Sequence, residues 1–451
     1  MRPLSELATA LAERTVSARE LIEHCLARIA DPCGEGARTF LRRFAAGARA
    51  HANAVDQLRA AGARLPPLAG IPVSVKDLFD IAGEVTTAGS VVLAAEPPAA
   101  RDARCVERLR AAGLIVIGRT NMTELAYSGL GINPHFGTPL NPHQRVRGRI
   151  PGGSSSGAAV SVTDGMAAAA LGTDTGGSCR IPAALCGLVG FKPTAQRVPR
   201  DGVLALSTTL DSVGPLAPTV ACCALIDAVL SGEEPRVPDA FPLRGARLLA
   251  LSSYALEGLE PYVADCYERA LGALSGAGAL IASAPLPELA RLPEINAKGG
   301  FSAAESYARY GALVRARRAQ FDPRVVMRIE KGAEQSAADY LELVRARAEL
   351  IVRIAGRTAA FDAVVMPTAP CVAPLLADLA SEEAYLRMNG LVLRNPAIAN
   401  FLDRCAISIP VHRAGEAPVG LTLMGEHAGD ARLLALARGA ESVLSAGIVV
   451  V

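Results

Sequence analysis

The spacing of apolar and polar residues divides the chain into a helical beginning and a long layered part. Apolar residues recur at helical intervals in LIEHCLARI, which follows a capping box of Ser17 and Glu20, and again over residues 45–63. From Gly70 onward, short apolar runs of strand length alternate with helical segments. This alternation is typical of an α/β fold with a parallel or mixed sheet.

Six apolar runs are the clearest predicted strands. They are IPVSV, LIVIG, MAAAALGTD, GLVGFKP, ARLLALSS and DAVVMPTAP. The segment CVERLRAAG, between the first two, has helical periodicity. Residues 303–360 are predicted to be mostly helical, and SAADYLELVRARAELIVRIA is the clearest example.

Charge and cysteine content narrow the classes of function. The 46 basic and 44 acidic residues give a net charge of +2 without a basic run, so no nucleic-acid site is indicated. Glu6 and Glu13 interrupt the N-terminal segment, and we expect no export signal and no membrane span. The ten cysteines lack metal-like spacing and are predicted to be reduced core thiols. We therefore expect a cytoplasmic protein with a small-molecule partner.

Lysine is rare in this chain, and one lysine stands in an unusual place. Only four of the 46 basic residues are lysines, and Lys76 lies inside the apolar, strand-like run AGIPVSVKDL. Arginine stays protonated, whereas a desolvated lysine can lose its proton near neutral pH. Two interpretations follow: Lys76 is a catalytic base, or its ammonium lies in water or pairs with Asp77 at a strand end.

Residues 151–193 contain two Gly-Gly-Ser units, which end at Ser154 and Ser178. A glycine pair allows backbone N–H groups to approach a ligand closely. A serine after such a turn can be a nucleophile with neighbouring amides as an oxyanion hole. Two ordinary Gly-Ser loop turns are the alternative interpretation.

Two other serine hydrolase patterns fit the chain poorly. GSSSG, from Gly153, matches the G-x-S-x-G elbow in form, but RVRGRIP before it is a poor strand. The downstream histidines, His412 and His427, lie in loop-like contexts, and no lysine has a serine three residues before it. With these bases missing, Lys76 is the natural proton acceptor for a serine.

Taken together, these residues resemble the amidase signature family. The matching stretches are GIPVSVKD, VTTAGS, GRTNMTELAYSG, NPHFGTPLNP, GGSSSG, GTDTGGSCRIPAALCGLVGFKPT, LDSVGPLA, DAVVMPTAP, SIPV and PVGLTLMG. The resemblance implies one large α/β/α layered domain whose central twisted mixed sheet is covered by helices. Residues 1–64 would form a helical segment packing on this core, and residues 65–451 the catalytic domain, with a mostly helical variable region at about 303–360.

The resemblance also implies a role for each residue of the site. Ser178 would be the nucleophile, Ser154 a bridging serine whose preceding peptide bond is cis, and Lys76 the terminal base. The oxyanion donors would be the amides of Thr175, Gly176, Gly177 and Ser178. We expect substrate contacts from Met122, Gly152 and Gly153. Arg180 is expected to structure the site through hydrogen bonds, and contact with an acidic substrate is its alternative role. Asp174, Cys179 and Lys192 are expected to be structural, and His135 to lie in a loop near the pocket. No metal or cofactor is implied.

An enzyme that hydrolyses the amide bond of a small molecule follows from the resemblance, and the same acyl chemistry extends to ester, carbamate and urea-type bonds. The alternative is the glutamine-hydrolysing A subunit of a tRNA-dependent amidotransferase. A binding protein with an inactive site is a third interpretation, but all three catalytic positions carry the required residue types. Residues 303–360 give no chemical signature of the substrate, and a homodimer would be unsurprising.

Overall fold

A mixed sheet lies at the centre of the computed structural model, which describes residues 2–444. Its eleven strands in these residues are β1 (Phe40–Arg43), β2 (Pro72–Lys76), β3 (Ile115–Thr120), β4 (Ala169–Asp174), β5 (Val189–Lys192), β6 (Ser212–Ala217), β7 (Arg247–Leu251), β8 (Leu280–Ala284), β9 (Ala363–Pro367), β10 (Ala406–Pro410) and β11 (Gly420–Met424). They are ordered β1-β3-β2-β4-β6-β5-β10-β11-β9-β7-β8. Strands β3, β2 and β4 are parallel, as are β9, β7 and β8, and the other neighbours are antiparallel.

Helices cover this sheet. Within the described residues they are α1 (Leu4–Ala12), α2 (Ala18–Ala30), α3 (Gly36–Thr39), α4 (Ala45–Ala60), α5 (Arg104–Ala111), α6 (Ser156–Thr163), α7 (Arg180–Cys186), α8 (Val220–Ser231), α9 (Pro261–Gly276), α10 (Leu292–Ile295), α11 (Gly300–Arg317), α12 (Pro323–Glu330), α13 (Ala337–Thr358), α14 (Glu382–Phe401) and α15 (Asp430–Leu444). The predicted α/β class, the mixed sheet and the six predicted strands are confirmed.

Strands β2 and β4 run side by side and parallel, with Val75 opposite Leu171. Every residue of both strands is buried, which is the usual consequence of helices on both faces of a parallel sheet. Lys76 ends β2 and Asp174 ends β4. Because carboxyl ends of adjacent parallel strands meet at one edge of the sheet, the loops that follow these two residues meet there as well.

The N-terminal segment contributes more than helices. Its predicted capping box is confirmed, since Ser17 accepts a hydrogen bond from the Glu20 amide at the start of α2 and Glu20 accepts one from Ser17. Strand β1 joins the sheet beside β3, with Arg43 opposite Gly118. This strand was not predicted, because FLRR does not alternate apolar and polar residues. The segment over residues 1–64 is thus both helical and part of the sheet.

The region around residues 303–360 is helical, as predicted, and consists mainly of α11, α12 and α13. The inner face of α13 packs on the sheet side of β7 and β9 through Leu343, Leu350 and Ile354. The other face of α13 stays outside the core.

The cysteines are unpaired, and every one except Cys33 is buried, as predicted for core thiols. Among residues 2–444, no helix combines the length and the apolar character needed to cross a bilayer.

Candidate active site

Lys76 is completely buried at the end of β2, and its amine faces hydroxyl groups. Nζ donates hydrogen bonds to Ser154 Oγ and to Thr173 Oγ1, both at 2.8 Å. Asp77, the alternative partner, is instead bound by Arg119, whose Nε lies 2.6 Å from Oδ1. The interpretation of Lys76 as a solvated or Asp77-paired lysine is therefore wrong.

Burial lowers the pKa of Lys76 from 10.5 to about 8, although the negative charges of Asp211 and Asp174 act in the opposite direction. The amine can therefore exist in either protonation state near neutral pH. Ser154 Oγ is within hydrogen-bond distance of it, so a proton can pass between the two groups.

Ser154 is held by backbone packing in the loop that leads into α6. The Gly153–Ser154 peptide bond is cis, as the resemblance implied. Gly153 N donates to Gly129 O at 2.8 Å, and a Cβ on Gly153 would lie 2.5 Å from the nitrogen of Gly131. Only glycine fits at position 153, which accounts for the Gly-Gly-Ser unit.

Ser178 lies in the turn between β4 and α7. Gly177 has a φ of 126°, and a Cβ there would lie 2.5 Å from Cβ of Pro396. This explains the second glycine of the pair, Gly177. Ser178 itself is 3% exposed. Its hydroxyl makes no hydrogen bond with another group of the described chain, so the structure joins Lys76 to Ser154 but leaves the Ser154–Ser178 hydrogen bond unformed.

Asp174 and Arg180 hold this turn together. Asp174 accepts hydrogen bonds from the Gly177 and Cys179 amides, at 2.8 and 3.1 Å. Arg180 donates to it through Nε at 3.0 Å and Nη2 at 2.9 Å. Burial would raise the pKa of Asp174, but the Arg180 charge and its hydrogen bonds outweigh burial and lower that pKa to about 2. Asp174 is thus an ionised structural residue.

Arg180 is also fully buried, and Nη2 donates to Asn400 Oδ1 at 2.7 Å. Its Nη1 has no hydrogen-bond partner in the part of the chain that the structure describes. Contact between Arg180 and a substrate stays a prediction.

Three of the four amides expected to bind an oxyanion are free of other partners. No hydrogen bond within residues 2–444 occupies the amide N–H groups of Thr175, Gly176 and Ser178, whereas the Gly177 amide donates to Asp174. Gly176 is the most accessible residue of the turn. The set of available donors is accordingly one smaller than the resemblance implied.

Asp211 and Thr173 are two residues of the site that sequence reasoning did not single out. Asp211 accepts a hydrogen bond from Thr175 Oγ1 at 2.5 Å and from the Leu206 amide at 2.9 Å. Burial raises the pKa of Asp211 to about 6, against the effect of these hydrogen bonds. The LDSVGPLA motif was the available signal for Asp211, and GTD was the signal for Thr173.

The surroundings of the remaining predicted residues are also described by the structure. Met122 is fully buried, and its carbonyl accepts from Asn133 Nδ2 at 2.8 Å. Gly152 has a φ of 79° and packs against α7. Nε2 of His135 lies 3.2 Å from Oε1 of the buried Glu124. Substrate contact by Met122, Gly152 and Gly153 stays a prediction.

A thiol nucleophile beside Ser178 is not favoured by the geometry. Cys179, beside Ser178, is fully buried, its Sγ lies 3.5 Å from Gly214 O, and burial raises the pKa of its thiol above the ordinary range. A thiolate nucleophile is thus disfavoured. Within residues 2–444, no cluster of three or more His, Cys, Asp or Glu side chains is arranged to hold a metal ion. Lys192, also buried, donates to Pro193 O at 2.8 Å.

Comparison with known proteins identifies the class. The family model Amidase matches residues 20–434, and the chain belongs to the amidase family. It is therefore an enzyme of the amidase type, acting on carbon–nitrogen bonds of small molecules.

Particular relatives are similar over nearly their whole length. The 2-amino-5-chloromuconic acid deaminase of Comamonas testosteroni is 38% identical over 452 residues, covering 98% of this chain and 96% of that protein. The A subunit of the glutamyl-tRNA(Gln) amidotransferase of Chloroflexus aggregans is 35% identical over 463 residues, covering 94% and 93%. The native peptide amidase of Stenotrophomonas maltophilia has a TM-score of 0.82 at 27% identity, covering 99% and 97%.

Proposed function

We propose that the protein hydrolyses an amide bond of a small molecule through an acyl-enzyme on Ser178. The observation that carries this proposal is the buried Lys76 amine, which is hydrogen-bonded to Ser154 and has no hydrogen-bonded carboxylate partner among residues 2–444. A lysine is costly to bury, and a lowered pKa fits it for the task of a general base. No structural pairing explains its position.

The reaction begins with neutral Lys76. Its Nζ accepts the proton of Ser154 Oγ while Ser154 Oγ accepts the proton of Ser178 Oγ, which attacks the carbonyl carbon. Catalytic hydrogen bonds often tighten only when substrate is bound, so the unformed Ser154–Ser178 contact is compatible with this relay. The oxyanion lies against the amides of Thr175, Gly176 and Ser178, which are free to donate.

Collapse of the tetrahedral intermediate breaks the carbon–nitrogen bond. The proton on Lys76 returns through Ser154 to the leaving nitrogen, and the acyl group stays on Ser178. Water then attacks the ester, loses its proton through the same relay and releases the acid. Lys76 ends the cycle neutral, so the residues of the chain supply every proton transfer.

The comparisons support two kinds of substrate. Similarity to a deaminase for 2-amino-5-chloromuconic acid favours a small substrate from which ammonia is released. Similarity to the A subunit of an amidotransferase favours the second candidate, hydrolysis of glutamine inside a larger assembly. We place the first ahead, because that relative is more similar and the chain covers more of it.

Ammonia release by the purified chain tests the proposal. We expect a panel of small primary amides and primary carbamates to yield at least one substrate by ammonia release, while matched methyl esters, which release methanol instead, are followed by acid formation. Hydroxylamine should divert part of the acyl product to a hydroxamate. Glutamine turnover that requires added partner proteins would favour the second candidate. Turnover of a substrate without hydroxamate formation, in protein that is insensitive to Ser178→Ala, would contradict the acyl-enzyme.

A further inference from the structure

Helix α13 has two apolar faces, although only one of them is covered. Leu343, Leu350 and Ile354 are buried in the core. On the other side, Leu341 is 56% exposed and Val352 is 72% exposed. Large apolar side chains on a solvent-facing helix surface are a common mark of a protein contact.

The exposed apolar residues form a continuous stripe. This outer stripe consists of Leu341, Val344, Ala348, Val352 and Ala355. At about 100° per residue, these five residues lie within a sector of about 80° around the helix axis, and no charged residue of the helix falls inside that sector. All five are exposed. A helix with this pattern presents one seam suited to a second helix.

The positions of the outer stripe are spaced symmetrically about Ala348. Leu341 and Ala355 lie seven residues on either side of it, and Val344 and Val352 lie four residues on either side. If a second α13 packs antiparallel with Ala348 at the centre, each Leu341 meets a small Ala355 and each Val344 meets a Val352. Large side chains then face small ones at the ends of the seam, which is how helix surfaces interdigitate.

The charged flank of the stripe follows the same symmetry. Four exposed residues alternate in sign in the order Glu342, Arg345, Glu349 and Arg353. Reversing this order exchanges every sign, so an antiparallel copy sets Glu342 beside Arg353 and Arg345 beside Glu349. In a parallel pair of helices, this charged flank would not contact the same flank of the second copy. Only an antiparallel pair therefore places residues of opposite charge from the two flanks beside each other. Within one chain these residues pair only along the exposed helix surface, where they can exchange partners.

We propose that two copies of this chain associate through the outer stripes of their α13 helices, antiparallel about a two-fold axis at Ala348. The occupant is a second copy because the balance of both the apolar and the charged positions is a property of self-pairing, and a different partner would not require it. The seam of one 22-residue helix is smaller than a standard interface. We therefore expect a reversible dimer with a dissociation constant on the order of 10 μM.

Sedimentation velocity across a range of protein concentrations tests the association. The full chain should pass from monomer to dimer between roughly 1 and 100 μM. Val352→Glu should weaken the dimer more than about tenfold, because it desolvates a charge at the seam. Leu58→Glu, at an exposed apolar residue of α4, is the matched control and should leave the dimer unchanged. A monomer at every concentration, or a dimer indifferent to Val352→Glu, would overturn the proposal.

A charge exchange tests the antiparallel orientation. Arg345→Glu should weaken the dimer about fivefold, because it faces Glu349 of the second copy twice in each dimer. Adding Glu349→Arg should restore association. Failure of the double variant to recover, with circular dichroism equal to that of the wild-type chain, contradicts antiparallel self-pairing and favours a different partner on this stripe.

Cross-linking locates the two-fold axis. In a Cys33→Ser background, which removes the exposed cysteine, Ala348→Cys should oxidise to a covalent dimer because the position meets its own copy. Leu341→Cys should not, since its two copies would lie about 21 Å apart along the seam. Equal cross-linking of the two variants would overturn the axis at Ala348. Ammonia release should change less than twofold in all these variants, so this proposal can fail without affecting the proposed function.

Discussion

Lys76 and the outer stripe of α13 depart from the usual distribution of residues in opposite directions. Lys76 is completely buried, and no carboxylate of residues 2–444 is hydrogen-bonded to its amine. On α13, Val352 and Leu341 are apolar and mostly exposed. Each arrangement costs free energy in the isolated folded chain, either by desolvating an amine or by leaving apolar surface in water.

The comparison shows that a residue in an energetically unfavourable environment can indicate a function, and that the kind of environment indicates whether the function is catalysis or binding. Lys76 and Lys192 are equally buried, but only the Lys76 amine faces a serine hydroxyl with which it can exchange a proton, so Lys76 indicates chemistry. An exposed apolar stripe gains free energy when it is covered, so α13 indicates association. An apolar residue in place of Lys76, or a polar residue in the exposed stripe of α13, should abolish catalysis or association respectively. Each should also raise the free energy of unfolding of the isolated chain.

Loss of the lysine should have the largest effect. Lys76→Met and Lys76→Arg should each lower kcat/KM by about 10⁴-fold, because neither side chain can accept a proton from Ser154. Lys192→Met is the matched control: Lys192 is equally buried but binds only a carbonyl, and the folded variant should lose less than about tenfold. Retention of a tenth of the activity by Lys76→Arg would contradict the relay. Initial rates of ammonia release give these values.

The pH dependence should be the next largest effect. Lys76 must be neutral to act as a base, and its pKa is about 8 because of burial. We expect kcat/KM to rise with pH, to level off above about 8, and to be about 100-fold lower at pH 6 than on the plateau. A substrate without ionisable groups isolates the enzyme's titration. A flat profile between pH 6 and 9 would show that Lys76 does not control the rate.

Stability should change in the direction opposite to activity. The pKa of Lys76 is about 8 in the folded chain and 10.5 in the unfolded chain, so below pH 8 the fold bears the full cost of a buried ammonium. Lys76→Met should raise the free energy of unfolding at pH 7 by about 2 kcal/mol, after the lost hydrogen bonds are counted. Urea titration measures it.

The sign of this stability difference can be checked with pH. Between pH 8 and 10.5 the unfolded wild-type chain binds more protons than the folded one, so wild-type stability rises with pH in this window. The advantage of Lys76→Met should shrink accordingly. A destabilised Lys76→Met variant at pH 7 would show that burial of the amine is not the dominant cost.

Removing the hydrogen bond that supports the turn between β4 and α7 should have the smallest effect on activity. Asp211→Ala should lower kcat about tenfold with little change in KM, because it removes the acceptor that holds the Thr175 hydroxyl and so positions the amide donors. Thr175→Val removes the same hydrogen bond, so the effects of the two variants should not add. If the losses of kcat are additive in the double variant, Asp211 does not act through Thr175.

The sequence allowed Lys76, Ser154 and Ser178 to be proposed as a relay, and the structure shows the Lys76–Ser154 hydrogen bond of that proposal. The residues that support them were not predicted. Lys76, Ser154 and Ser178 stand in stretches whose residue types admit few interpretations, and β2 and β4 were visible as apolar runs. Thr173 and Asp211 were missed because their roles depend on which hydroxyl or amide lies opposite them in space. The commitment of the Gly177 amide to Asp174 was also hidden, since it depends on how the turn closes.

Strand β1 and the orientation of α13 were harder to predict from the sequence. Strand β1 was missed because it is held by its pairing with β3 rather than by an apolar pattern. The helical nature of residues 303–360 was evident from periodicity, but α13 has apolar residues on two faces, and the pattern alone does not say which face meets the core. Packing against Leu249 and Met366 decides that question.

Labelling with a serine-reactive fluorophosphonate is the most direct test of the relay. Intact mass and peptide mapping should show one phosphonyl group on the peptide that contains Ser178 in the wild-type chain. Ser178→Ala should abolish the label, and Lys76→Met should slow it by several orders of magnitude. Labelling of a different residue, or equal rates in the wild type and Lys76→Met, would contradict activation of Ser178 by the buried lysine.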